Sequence, residues 1–115
     1  VKNRVVFPPL VNFGWSNDDG YVTNKHTAQY EAVAKGGAGI IIVEATCVLK
    51  DGRISSYQPG IWSDEHIEYF KPIVEACHKH GAVILLQIHH SGLVTRKRLL
   101  ALLLIQIMIV LMHYQ

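Results

Sequence analysis

Cysteine is scarce in this sequence of 115 residues: Cys47 and Cys77 stand far apart, too few for a disulfide framework or a metal knuckle. They read as free thiols in a reducing compartment, which points to a cytoplasmic protein. Charge of one sign is scarce too. A formal net charge of +2, with basic residues dispersed except at Arg96-Lys97-Arg98, gives no field suited to nucleic acid or anionic lipid. No apolar stretch opens the chain. Val1-Lys2-Asn3-Arg4 has no signal-peptide core, and a first residue that is Val rather than Met leaves room for a missing or processed start. Regular alternation of polar and apolar residues is absent from every strand-like segment, which argues against a sheet with one wet face. What is abundant is hydrophobic sequence. At 50% it excludes disorder over most of the length, and the length suits one small domain with a modest core.

Three apolar runs carry strand character: Arg4 to Val11, ended by Pro8-Pro9 and Asn12; Ala38 to Ala45 around Ile40-Ile41-Ile42-Val43; and Ala82 to His89 around Val83-Ile84-Leu85-Leu86. Continuous β-branched runs fit strands buried on both faces of a parallel sheet. Thr23 or Asn24 caps a predicted helix to about Lys35, with Ala28, Val33 and Ala34 on one face and Gly36-Gly37 as its stop. Ser63 caps a second, with Asp64 and Glu65 in its positive first turn and Ile67, Phe70, Val74 and Cys77 at helical spacing. Pro72 predicts a kink there, or a short turn and a fresh start. Strand, helix, strand, helix, strand is an α/β order with right-handed crossovers, compatible with a barrel or an open doubly wound sheet.

Several residues invite chemistry. Gly36, Gly37 and Gly39 resemble a dinucleotide loop, but they precede a strand, whereas that fingerprint follows one. His89-His90 suggests a metal, yet neighbours on a strand point to opposite faces, and adding His78 and His80 gives no standard zinc spacing. No metal site is expected. Glu44, inside an apolar strand end, reads as a structural hydrogen-bonding carboxylate. Gln87 in an apolar run needs a partner, because an unmatched buried polar group costs about 1–3 kcal/mol. Trp62-Ser63-Asp64-Glu65-His66 reads as a helix start. The run from Leu99 to Met112, broken only by Gln106, is short for a membrane span of about 20 residues. It reads as a frame-shifted tail first, then as a buried helix or an anchor.

Six phrases resemble the Old Yellow Enzyme-like NADH:flavin oxidoreductase/NADH oxidase family, in its order and at its spacing. They are Lys2-Asn3-Arg4-Val5-Val6 leading into Pro8-Pro9-Leu10, Gly20-Tyr21-Val22-Thr23, Ala34-Lys35-Gly36-Gly37-Ala38-Gly39, Val43-Glu44-Ala45-Thr46, Gly60-Ile61-Trp62-Ser63-Asp64-Glu65-His66, and Gln87-Ile88-His89-His90-Ser91-Gly92. The resemblance covers residues 1–95 and implies the first three strands and two helices of a (β/α)8 TIM barrel, with 96–115 an atypical apolar tail.

It further implies an FMN-dependent oxidoreductase that takes hydride from NADH or NADPH and passes it to a small-molecule acceptor such as an activated alkene. By similarity, Pro9, Leu10 and Val11 pack against the flavin and offer backbone groups near its N5 or O4. Ala45 lets the ring lie close to the backbone, and Gln87 meets its pyrimidine edge. Phe13 and His90 stand at the flavin or substrate mouth, where Tyr21 is a further candidate. Val11 departs from the family's Thr or Cys and removes a polar contact. The family's carbonyl-binding pair, its proton-donating Tyr and its phosphate loops belong to later segments, so no catalytic residue is assigned. The chain is expected to be an incomplete fragment. The alternative is a non-catalytic piece that binds flavin weakly or self-associates through unpaired strand edges.

Overall fold

The computed structural model describes residues 1–92 and 108–111. Strand β1 (Val6–Phe7) is followed by helix α1 (Asn24–Lys35), strand β2 (Ile40–Cys47), helix α2 (Glu65–Lys79), strand β3 (Val83–His89) and strand β4 (Met108–Leu111). The sheet order is β1-β2-β3-β4. The first three strands are parallel, Val6 beside Ile40 and Ile40 beside Val83. Three parallel strands and two helices are the α/β pattern expected from the apolar runs.

The first strand is shorter than expected. Arg4 to Val11 pairs only over Val6–Phe7, because Pro8 and Pro9 have no N–H to extend a ladder. Within β2 the ladder slips. Val43 stands opposite Leu86 and Thr46 opposite Ile88, three steps on β2 against two on β3. The extra residue is a bulge. It turns Val43 and Glu44 to the same side and brings Ala45 and Cys47 to the other.

Both helices cover one face of the sheet. Ile41, Val43, Ile84 and Leu86 meet Tyr30 and Ala34 of α1 and Phe70, Ile73 and Cys77 of α2 in one core. The buried stripe of α1 is His26, Tyr30 and Ala34, whereas Ala28, expected to face inward, is exposed. In α2, Ile73 is buried and Ile67 is 41% exposed, against the expected face. The helix continues through Pro72, which sits at an exposed position. Asp64 rather than Ser63 precedes its first turn. On the opposite face of the sheet, Ile40, Ile42, Val83, Leu85 and Gln87 are only half-buried.

The glycine pair after α1 has two separate uses. Gly37 takes a φ of 108°, and a Cβ on Gly39 would lie 2.5 Å from the Asn3 carbonyl oxygen. These glycines clamp the N-terminal segment; Asn3 Nδ2 donates to the Gly37 carbonyl at 2.7 Å.

Of the tail, only Met108–Leu111 is described. It pairs antiparallel with β3, Leu111 opposite Leu85 and Met108 opposite Ile88, so a buried helix is not formed there. The other tail residues lie outside the described residues. β4 covers the outer edge of β3, while β1 has no outer partner among the described residues. No described helix is long and apolar enough to cross a membrane.

Candidate functional site

The carboxyl ends of β1, β2 and β3 share one end of the sheet because the strands are parallel. The segment after β1 is held against β2 at two points. Phe7 pairs with Ile41, and Asn12 binds Glu44, its N–H donating to Oε2 at 2.9 Å and its Nδ2 to Oε1 at 3.1 Å. Pro9, Leu10 and Val11 therefore run beside the second half of β2. Ala45 follows there, buried, in the bulge beside Gln87. Side chains alternate along a strand, so Gln87 shares a face with His89, and Ala45 shares one with Cys47, the partner of His89. Two strand spacings, about 10 Å, separate β1 from β3. No hydrogen bond to the described residues uses the Leu10 N–H, the Val11 N–H or the Gln87 amide.

Phe13 is 54% and Leu10 58% exposed, at the rim of this end. The His90 ring lies against Gly52, where a Cβ would strike it, and its Nδ1 accepts from the Gly92 N–H at 3.0 Å. Tyr21 goes elsewhere. It stacks on Tyr69 with centroids 4.2 Å apart and donates to Glu65 at 3.0 Å, which makes it part of the α2 start. Trp62 is structural as expected, edge-on to His66, whose Nδ1 meets Ser63 Oγ at 2.8 Å.

Glu44 is the hub of the arrangement. Besides Asn12, its Oε1 accepts from the Tyr30 hydroxyl at 3.1 Å, and its own N–H donates to the Tyr30 oxygen at 2.9 Å. His26 Nε2 stands 3.7 Å from Oε1, beyond hydrogen-bond range. Its Nδ1 accepts from the Thr23 N–H at 3.0 Å, so the neutral ring carries its proton on Nε2, facing the carboxylate. Hydrophobic patterning cannot find His26 and Tyr30 as inward residues. The detectable signal was their spacing of four on one helix, together with an acid inside an apolar strand.

A second set of buried polar groups was also missed, because it lies in a loop with no local signature. Gln58 is fully buried after β2, its Nε2 3.0 Å from the Ala45 carbonyl and 3.1 Å from His89 Nδ1. Arg53, 7% exposed, donates to the carbonyls of Lys50, Asp18 and Ser56 and lies 5.0 Å over the Trp62 ring. These contacts fasten the loop over the end of β2, where Cys47 N–H bonds to the Pro59 carbonyl at 2.8 Å.

Burial holds the His26 imidazole below its ordinary pKa, with Glu44 pulling the other way. Burial also lowers His89, helped by neighbouring His90. Both histidines take up protons more readily once unfolded, so stability is expected to fall as pH drops below about 6.5. Urea midpoints measured at pH 7.5 and 5.5 test this. An equal or higher midpoint at the lower pH would overturn it.

Comparison with known proteins gives one consistent result. Residues 1–101 match the model of the NADH:flavin oxidoreductase / NADH oxidase family. An NADPH dehydrogenase of Halalkalibacterium halodurans is 45% identical over 92 residues, 80% of this chain and 27% of that protein. An NADPH dehydrogenase of Listeria welshimeri is 41% identical over the same shares. The chain thus spans about a quarter of these relatives. Among solved structures, the old yellow enzyme from Trypanosoma cruzi matches at TM-score 0.69 and 35% identity, over 81% of this chain and 24% of that one. Morphinone reductase matches at TM-score 0.66 and 35% identity, over 76% and 22%.

Proposed function

This chain belongs to the NADH:flavin oxidoreductase / NADH oxidase family, and we propose that it forms the amino-terminal part of an FMN site at the strand ends of a TIM barrel. The observation that carries the reading is the set of polar groups without partners among the described residues: the N–H groups of Leu10 and Val11 on one side and the Gln87 amide on the other. The isoalloxazine ring fits such a cradle. It needs donors and acceptors along its N5, O4 and pyrimidine edge and a close backbone approach. The small side chain of Ala45 in the bulge allows that approach. Bound FMN supplies hydride transfer from NADH or NADPH to a small-molecule acceptor such as an activated alkene.

In this reading residues 1–95 are the amino-terminal part of the FMN-binding domain and 96–115 an atypical apolar tail. Pro9, Leu10 and Val11 orient the ring through backbone groups, and Gln87 binds its pyrimidine edge. Phe13 and His90 border the mouth. Cys47 and Cys77 are buried free thiols, which supports a cytoplasmic setting.

A second reading, self-association without catalysis, is favoured by the outer edge of β1, which lacks a partner among the described residues. Titration with FMN, followed by fluorescence quenching and gel filtration, separates the two. Retained flavin on a monomer supports the first, and aggregates with no flavin support the second. Within the first, Gln87→Leu is expected to weaken FMN binding about tenfold by removing the amide's hydrogen bonds. Unchanged affinity would remove Gln87 from the site.

A further inference from the structure

The Gln58 side chain is fully buried, and all of its bonds have fixed senses. Its Oε1 accepts from the Ile54 N–H at 2.9 Å, which identifies the other end as the NH2 group. That group has two protons for two neighbours. One goes to the Ala45 carbonyl at 3.0 Å, which can only accept. The other goes to His89 Nδ1 at 3.1 Å. A ring nitrogen that accepts carries no proton, so the proton of neutral His89 must sit on Nε2.

His89 is 8% exposed and shares the Gln87 face of β3. Among the described residues its Nε2 has no hydrogen-bond partner. An N–H at the accessible tip of a ring that is otherwise enclosed, on the face of the candidate cradle, held in one tautomer and lacking a protein acceptor among the described residues, is open to a ligand oxygen.

We propose that Gln58 is a positioning residue that locks His89 as its Nε2–H tautomer, making His89 a fixed hydrogen-bond donor to an oxygen of the acceptor molecule lying beyond Gln87. The identity of that acceptor as an electron acceptor rests on the flavin reading above; the tautomer lock does not. Gln58 also holds the Ala45 carbonyl, so one side chain sets two neighbouring positions of the cradle.

The test is nitrogen NMR on the full chain labelled with [15N]histidine, at a pH where His89 is neutral. Wild type is expected to show His89 protonated on Nε2 and bare on Nδ1. In Gln58→Glu the carboxylate can only accept, so the proton is expected to move to Nδ1. Cyclohexenone, added with and without FMN, is expected to shift the His89 Nε2–H signal in wild type. It is expected to bind about tenfold more weakly to Gln58→Glu. A wild-type proton on Nδ1 overturns the inference, and that measurement stands even if the variant does not fold. So does a His89 signal that ignores cyclohexenone in both conditions. FMN quenching, read separately, judges the flavin reading. If FMN fails to bind while His89 is Nε2–H and responds to cyclohexenone, only the flavin reading falls.

Discussion

Glu44→Ala is expected to destabilise the chain by about 3–5 kcal/mol, the range for stripping one partner from a buried charged network. The mutation leaves the Asn12 N–H, the Asn12 amide and the Tyr30 hydroxyl without their acceptor, and each orphaned group costs about 1–3 kcal/mol unless water reaches it. Part of that sum is returned because the variant no longer buries a carboxylate. Glu44→Gln keeps the volume but turns an NH2 group toward a ring of donors, so an intermediate loss is expected. The measurement is the urea midpoint. With a slope of about 1–3 kcal/mol per molar for a small protein, the alanine variant moves it by about 1 M or more. A loss within about 1 kcal/mol would show that Glu44 is not the hub the geometry makes it. The same variant should also free the Pro9–Val11 segment, since Asn12 is its downstream anchor.

Phe70→Ala is expected to cost as much, about 3–5 kcal/mol, for a different reason. Phe70 is 2% exposed in the core between α2 and the sheet, and its removal leaves a cavity where α2 meets β3. Small domains are stable by only about 5–15 kcal/mol in total, so either substitution consumes much of the margin. Phe13→Ala supplies the contrast. The same residue type at 54% exposure is expected to change stability by no more than about 0.5 kcal/mol. Near-UV circular dichroism during thermal unfolding reads both. Similar losses for the two variants would contradict the assigned core.

The strands β2 and β3 were legible because runs such as Ile40-Ile41-Ile42-Val43 suit few other structures. β1 was legible in position but not in length, since a hydrophobic run does not say where pairing stops and two prolines do. The helix spans were readable from their caps and glycines, but their buried faces were not. α1 turns His26 and Tyr30 inward because Thr23 partners the His26 ring and Glu44 the Tyr30 hydroxyl, and Glu44, itself held by Asn12, comes from the next strand. Gln58 and Arg53 were invisible for the same reason. Their acceptors are the carbonyls of Ala45, Lys50, Asp18 and Ser56, and no sequence pattern marks a carbonyl. The site positions Pro9, Leu10, Val11, Ala45 and Gln87 came from family resemblance. Chain order alone could not bring them to one end of the sheet until the strands proved parallel.

The bulge in β2 bears on how this stretch tolerates changes of length. Its two halves are out of phase, with Val43 toward the helices before the extra residue and Thr46 toward them after it. Deleting one residue at Glu44 or Ala45 would heal the ladder and leave Thr46 and Cys47 opposite Ile88 and His89, as they are now. Loss of Glu44 would remove the acceptor that holds Asn12 and Tyr30, and loss of Ala45 would turn Glu44 away from them toward the cradle face. Composition in β2 can therefore drift among apolar residues more freely than its residue count can, and the loop that follows is bound likewise, because Gly52 meets the His90 ring, Arg53 holds three carbonyls and the Ile54 N–H fixes Gln58.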